Sequence, residues 1–266
     1  MPRPSEAEVE QRRQEILSYV MEHGDVRIDQ LTERFGVSLM TMHRDLDELA
    51  ERRLLRKLRG RVEAYPALTM ETAKRFRETE NVALKESLAE VASHEVTPGQ
   101  TLFLDDSTTL FPLAHRLIGP QVVITNSLEV ARILADADGI EVRLLGGRYT
   151  EFDSCVGPDT IGALSRMRAD VGFVSATAVA CGRLYHPDRE YAELKTAALR
   201  VADRNVLVVD HSKFGRTATY AYGDVSDYDL VITDEETPGD ELAAMDTKVR
   251  LAKPVTSRTD HGGTQE

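Results

Sequence analysis

Between residues 101 and 233 short apolar runs recur: TLFLD (101–105), VVIT (122–125), EVRLL (141–145), VGFVS (171–175), NVLVVD (205–210) and DLVIT (229–233). Helical stretches fit between most of them. Strands alternating with helices imply an α/β domain with a mostly parallel sheet covered on both faces. At 266 residues the chain is too long for one small domain and fits two, and 41% hydrophobic residues can build a sizeable core.

Ahead of this region, the spacing predicts three helices and a tail. A helix over about 6–22 carries Val9, Arg13, Ile16, Leu17, Val20 and Met21 at helical spacing and stops at Gly24. A second, about 28–35, carries Ile28, Leu31 and Phe35, and Gly36 supplies the tight turn after it. Ser38 caps a third helix, about 39–52, whose buried stripe is Leu39, Met42, Leu46 and Leu49. Two short helices joined by a glycine turn form a helix-turn-helix pattern. The side opposite the stripe shows Met40, Thr41, Arg44 and Glu48, with His43 on the flank. Such a helix presents its N-terminal residues to base edges, and Thr41 and Arg44 are suitable types.

The third helix runs into six cations without an acid across 52–61: Arg52, Arg53, Arg56, Lys57, Arg59 and Arg61. Gly60 and the loose alternation of LLRKLRGRVEAYP suggest a two-stranded wing beside the DNA backbone. Residues 1–62 hold 12 cations and 12 acids, so the whole net charge of −12 lies downstream. That balance argues against a general polyanion binder and leaves one basic edge for phosphates.

These signals divide the chain into a winged helix-turn-helix domain (1–64), a linker helix (65–98), an α/β domain (99–252) and a disordered tail (253–266). The linker helix is expected over about 70–94, with Phe76, Leu84, Leu88 and Val91 on one side. Cys155 and Cys181 show no pairing or metal pattern, and no apolar run approaches the roughly 20 residues that span a bilayer. The N-terminus has no apolar signal region, so a cytoplasmic protein with no membrane contact is expected.

In open α/β sheets ligands bind beyond the carboxyl ends of the strands. After the first strand stand Asp105, Asp106, Ser107, Thr108 and Thr109. Hydroxyls and free amides at a helix start suit a phosphate, and the aspartates can accept bonds from sugar hydroxyls. Asn126 and Ser127 follow the second strand, with Ser127 placed to cap a helix. Gly146, Gly147 and Arg148 follow the third, and Lys213 follows a later one as a compact phosphate partner. Any one of these is commonly a cap, a turn or a solvated cation; four in corresponding positions point to one ligand site. There is no P-loop and no GxSxG elbow, and His94, His115, His186 and His211 lack metal spacing. No metal and no cofactor are expected. Asp105, Asp106 and Lys213 are also types that move protons on a sugar, which keeps an isomerase open on residue types alone.

VSLMTMHRDLDEL, LFLDDSTTLF, VVITNSLEVARIL, VRLLGGRY, VGPDTI, ADVGFVSATAV, VVDHSKFG and DLVITD, in this order, resemble successive blocks of the DeoR family of bacterial transcription regulators over about residues 9–235. The resemblance implies an N-terminal all-α winged helix-turn-helix and a sensor domain related to sugar-phosphate isomerases. It implies a non-enzymatic repressor of a carbohydrate operon that binds double-stranded operator DNA as a homodimer or homotetramer and is relieved by a phosphorylated sugar. On it, Ser38, Thr41, His43, Arg44, Arg56, Lys57, Arg59 and Arg61 face DNA. Asp105, Ser107, Thr108, Thr109, Asn126, Ser127, Gly147, Arg148, Lys195 and Lys213 face the effector. Four positions depart from the family pattern: His43 where a second arginine is common, Ser107 for glycine, Tyr191 for a glutamate four residues before Lys195, and Arg61 for a wing glycine. An isomerase carrying an accessory helix-turn-helix, and a purely oligomerising C-terminal domain, are the alternatives.

Overall fold

The computed structural model describes residues 6–23, 25–51, 54–63, 81–150 and 152–253. The chain forms two compact units, Met1–Glu80 and Asn81–Glu266. Among the described residues no helix is long and apolar enough to cross a membrane.

The first unit holds α1 (Glu6–His23), β1 (Asp25–Arg27), α2 (Ile28–Phe35), α3 (Leu39–Glu51), β2 (Arg56–Leu58) and β3 (Arg61–Glu63). Gly36 takes φ +60°, the left-handed conformation that closes α2. The Thr41 amide then donates to Ser38 Oγ at 3.2 Å, so Ser38 caps α3 as its residue type predicts. β2 and β3 pair antiparallel through Gly60 at φ +74°. The wing is three-stranded, in the order β1-β3-β2. β1 was not legible in the sequence, because three residues are too few to show a period. The Ile28 amide donates to the Gly60 carbonyl at 3.1 Å, which ties the wing's turn to the start of α2.

The core of this unit is Ile16, Leu17, Val20, Val26, Ile28, Leu31, Met42, Leu46, Leu49, Leu55 and Val62. Leu39, expected in the stripe, is 55% exposed. It opens the helix, a turn before the stripe meets the body of the domain. Asp45 takes a place in the interior instead. Its carboxylate accepts from Arg12 Nε at 2.8 Å and Arg13 Nε at 3.1 Å, which fastens α3 to α1. Arg13 therefore belongs on the inward side of α1 as a partner for that carboxylate.

The second unit opens with α4 (Val82–Ser93), whose Leu88, Ala89 and Ala92 are fully buried against the sheet. The expected linker helix is therefore, over its described part, a wall of the α/β unit, and residues 64–80 lie outside the described residues. Seven parallel strands follow: β4 (Thr101–Leu104), β5 (Gln121–Thr125), β6 (Ile140–Leu144), β9 (Ala169–Val174), β12 (Ala202–Val208), β14 (Leu230–Asp234) and β15 (Val249–Ala252). The intervening hairpin strands are β7 (Arg148–Thr150), β8 (Ser154–Val156), β10 (Ala178–Ala180) and β11 (Arg183–His186), and β13 is Tyr220–Asp224. The helices between them are α5 (Phe111–Arg116), α6 (Leu128–Leu134), α7 (Pro158–Leu164), α8 (Arg189–Val201) and α9 (Gly239–Ala244). β15 extends the sheet beyond the last expected strand. The expected tail lies outside the described residues from 254 onward.

The sheet order is β15-β14-β12-β9-β4-β5-β6. From β4 the chain winds outward through β5 and β6, then returns to the other side of β4 and winds outward again from β9. The switch point lies at the neighbouring strands β4 and β9, the position at which open α/β sheets bind ligands.

Asp45→Ala leaves Arg12 and Arg13 without their shared acceptor. Loss of charge-assisted bonds of this kind costs about 1–3 kcal/mol, to be read as a lowered unfolding midpoint of the first unit in urea. An unchanged midpoint would show that α1 and α3 are held by apolar packing alone.

Candidate functional site

On the first unit, α3 and the wing gather the residues expected at DNA. Ser38 and Thr41 stand on the first turn of α3, and their hydroxyls lie 2.9 Å apart. Arg44 is exposed one turn on. His43 Nδ1 lies 3.2 Å from Lys57 Nζ, which also pairs with Asp47. Arg56 pairs with Glu63, and Arg61 Nε donates to both carboxylate oxygens of Asp25 at 2.7 and 2.8 Å. Among the described residues Arg44 and Arg59 carry no ion pair.

The run that reads as six free cations is thus partly neutralised by acids brought from β1, α3 and β3. These pairs are exposed and weakly held. A DNA phosphate can take each cation only by displacing its acid, so the wing's neutralising charge is smaller than its cation count.

On the second unit, the carboxyl ends of β5, β4, β9 and β12 carry the polar cluster. Asp105, directly after β4, is 2% exposed and pairs with Lys195 of α8. Its carboxylate also accepts from the Ser107 amide at 2.9 Å and the Ser175 amide at 3.0 Å. Lys195 Nζ donates in addition to the Ser175 carbonyl at 2.9 Å. Burial pushes the Asp105 carboxyl up, and the Lys195 ammonium pulls it back. Ser107 forms a tight turn, accepting from the Thr109 amide at 3.3 Å. Lys85 of α4, 4% exposed, donates to Thr108 Oγ1 at 3.2 Å.

Asn126, fully buried after β5, donates through Nδ2 to the Cys155 carbonyl at 3.3 Å. Among the described residues its Oδ1, the Oγ of Ser175 and the Oδ2 of Asp210 have no hydrogen-bond partner. Buried polar atoms of this kind are normally satisfied; Gln121 Oε1, Asn205 Oδ1 and Tyr228 Oη elsewhere in the unit likewise have no partner among the described residues, and Asp210 Oδ2 has Lys213 Nζ at 3.7 Å.

The remaining expected residues stand apart from that pair. Ser127 caps α6, accepting from the Val130 amide at 3.2 Å. Gly147 has φ +139°, and a Cβ there would meet Thr160 Oγ1 at 2.0 Å, so it serves the packing of α7. Arg148 pairs with Glu190 at the start of α8. Lys213 lies 3.7 Å from Asp210 Oδ2. Tyr191 occupies the turn of α8 before Lys195, its hydroxyl 2.6 Å from Thr150 Oγ1 and 2.8 Å from Ser154 Oγ. Burial pushes its phenol pKa up, so the group is neutral at physiological pH and bolts the β7–β8 hairpin to α8.

Lys85 and Ser175 escaped the sequence reading. Ser175 follows β9 as Asp105 follows β4, and the same carboxyl-end rule would have found it. Lys85 shares its helical face with Leu88, Ala89 and Ala92, and a cation at that spacing is the signal.

The geometry of both units agrees with family models. A DeoR-like helix-turn-helix domain matches residues 12–66, and a DeoR C-terminal sensor domain matches residues 80–235. The chain belongs to the DeoR family of transcription regulators. It is a DNA-binding regulator rather than an enzyme. It is 33% identical over 232 residues to the glycerol-3-phosphate regulon repressor of Escherichia coli (strain K12), covering 86% of this chain and 92% of the relative. It is 29% identical over 225 residues to the HTH-type transcriptional regulator UlaR of Shigella sonnei, covering 84% and 90%. Among solved structures, ribose 5 phosphate isomerase A from Neisseria gonorrhoeae matches 49% of this chain and 52% of its own, with a TM-score of 0.36 and 17% identity.

Replacing Asp25 by Asn and Glu63 by Gln frees Arg61 and Arg56. Binding to random-sequence duplex DNA then strengthens by about two- to fivefold per site, with a steeper dependence on salt. Fluorescence anisotropy across a salt series measures both, and equal slopes would mean that these arginines do not reach phosphate.

Proposed function

We propose that this regulator represses a carbohydrate-metabolism operon and releases its operator when a phosphorylated sugar or polyol binds beyond the carboxyl ends of β4, β5 and β9. The observation that carries this reading is the buried Asp105–Lys195 pair at the switch point, ringed by the unpartnered Asn126 Oδ1 and Ser175 Oγ. Lys85 and the Thr108 hydroxyl suit a phosphate. Asp105, Asn126 and Ser175 suit the hydroxyls of a polyol chain. On the same reading Lys213 and Arg148 add positive charge at the margin of the site, and Thr109, Ser127 and Gly147 hold its loops in shape.

On the DNA side, α3 enters the major groove, Arg44 reads a base, and Arg56, Lys57, Arg59 and Arg61 hold phosphates. A homodimer or homotetramer is the assembly this requires, since one recognition helix covers only a half-site. A domain arrangement of 1–64, a connector over 65–98 and a sensor over 99–252 follows, with α4 doing double duty as connector and sensor wall. The relatives' names support a carbohydrate role: one is a repressor of a glycerol-3-phosphate regulon.

Thermal denaturation of the full chain against a panel of sugar and polyol phosphates, glycerol 3-phosphate included, tests the sensor. A ligand at 100-fold above its Kd raises Tm by about 5–10 °C. Lys195→Met removes that rise, and Lys195→Arg restores part of it. A panel without any shift would leave the second unit as an oligomerisation domain. Arg44→Ala weakens binding to the selected operator about tenfold or more while random DNA is bound nearly as before; equal loss on both would make Arg44 a phosphate contact.

A further inference from the structure

The first turn of α3 exposes two large apolar side chains, Leu39 at 55% and Met40 at 68%. They are adjacent, and they are not spare core: the buried stripe of the helix begins at Met42. Around them stand Ser38, Thr41 and Arg44, and Met40 and Arg44 lie four residues apart on one face. Single exposed apolar residues are ordinary on a protein surface. A methionine at the tip of a DNA-recognition helix, beside an arginine free of ion pairs, is set within an interface already assigned to this unit.

The major groove offers one apolar feature to such a side chain, the 5-methyl group of thymine. The flexible thioether chain of methionine adapts well to a shallow apolar contact. The alternatives for covering Met40 fit less well: Arg44 beside it and the wing cations favour a polyanion over an apolar protein surface.

We propose that Met40, flanked by Leu39, reads a thymine methyl group in the operator, next to the base read by Arg44. This makes Met40 a specificity-determining residue, giving preference for thymine where a polar side chain would look for a hydrogen-bonding edge. The proposal rests on the operator-binding reading, and the experiment keeps the two apart.

The full chain selects preferred sites from a random duplex library, and each thymine of the consensus is then replaced in turn by deoxyuridine, which lacks only the methyl group. The wild-type protein is expected to lose about three- to fivefold in affinity at one thymine, the scale of a single buried methyl. Met40→Ala is expected to bind the thymine site more weakly by a similar factor and to be indifferent to that deoxyuridine. Met40→Leu keeps the sensitivity. Because Met40 is exposed, its variants are checked for unchanged Tm. A library that yields no preferred sequence overturns both operator reading and this inference. A preferred sequence without any deoxyuridine-sensitive thymine overturns this inference alone, as does a Met40→Ala protein that stays as sensitive as the wild type.

Discussion

The buried pair of Asp105 and Lys195 is the constraint around which the second unit is arranged. A carboxylate and an ammonium removed from water cost several kcal/mol each unless their remaining bonds are met. Here the Ser107 and Ser175 amides complete the carboxylate, and the Ser175 carbonyl takes a second ammonium proton. Meeting those bonds demands that β4, β9 and α8 arrive together, which fixes both the strand order at the switch point and the rotation of α8. A pair held this tightly is an ordered polar floor beneath the carboxyl ends of β4 and β9.

The first unit uses charge in the opposite manner. Among its described residues only Asp45 is a buried charge, and its bonds to Arg12 and Arg13 fasten α3 to α1. The wing's pairs are exposed and exchangeable. The buried pair gives geometry, whereas the exposed pairs are free to exchange partners; among the described residues of α3 and the wing, Arg44 and Arg59 carry no ion pair.

Much of the fold was legible because its signals are periodic or conformational. The stripe of Met42, Leu46 and Leu49, the glycine turn at Gly36 and the cap at Ser38 all act within one or two turns of chain. The apolar runs that became β4, β5, β6, β9, β12 and β14 are long enough to announce themselves. Three-residue strands such as β1 were not, and Leu39 failed because a helical stripe gives no hint of where the neighbouring wall ends. The candidate site was legible as residue types after strands, which named Asp105 and Asn126. It was not legible as a set, since Ser127 and Gly147 look the same in sequence whether they face a ligand or a helix.

The two-part architecture, the helix-turn-helix and the sensor-type strand alternation are written in the chain locally, because they rest on short-range spacing and on turn residues. Which residues meet follows from the folded arrangement. Asp105 and Lys195 are 90 positions apart in the chain, and Arg61 finds Asp25 across 36. Pairings of that range depend on strand order and on which face each helix buries, and no local pattern records either.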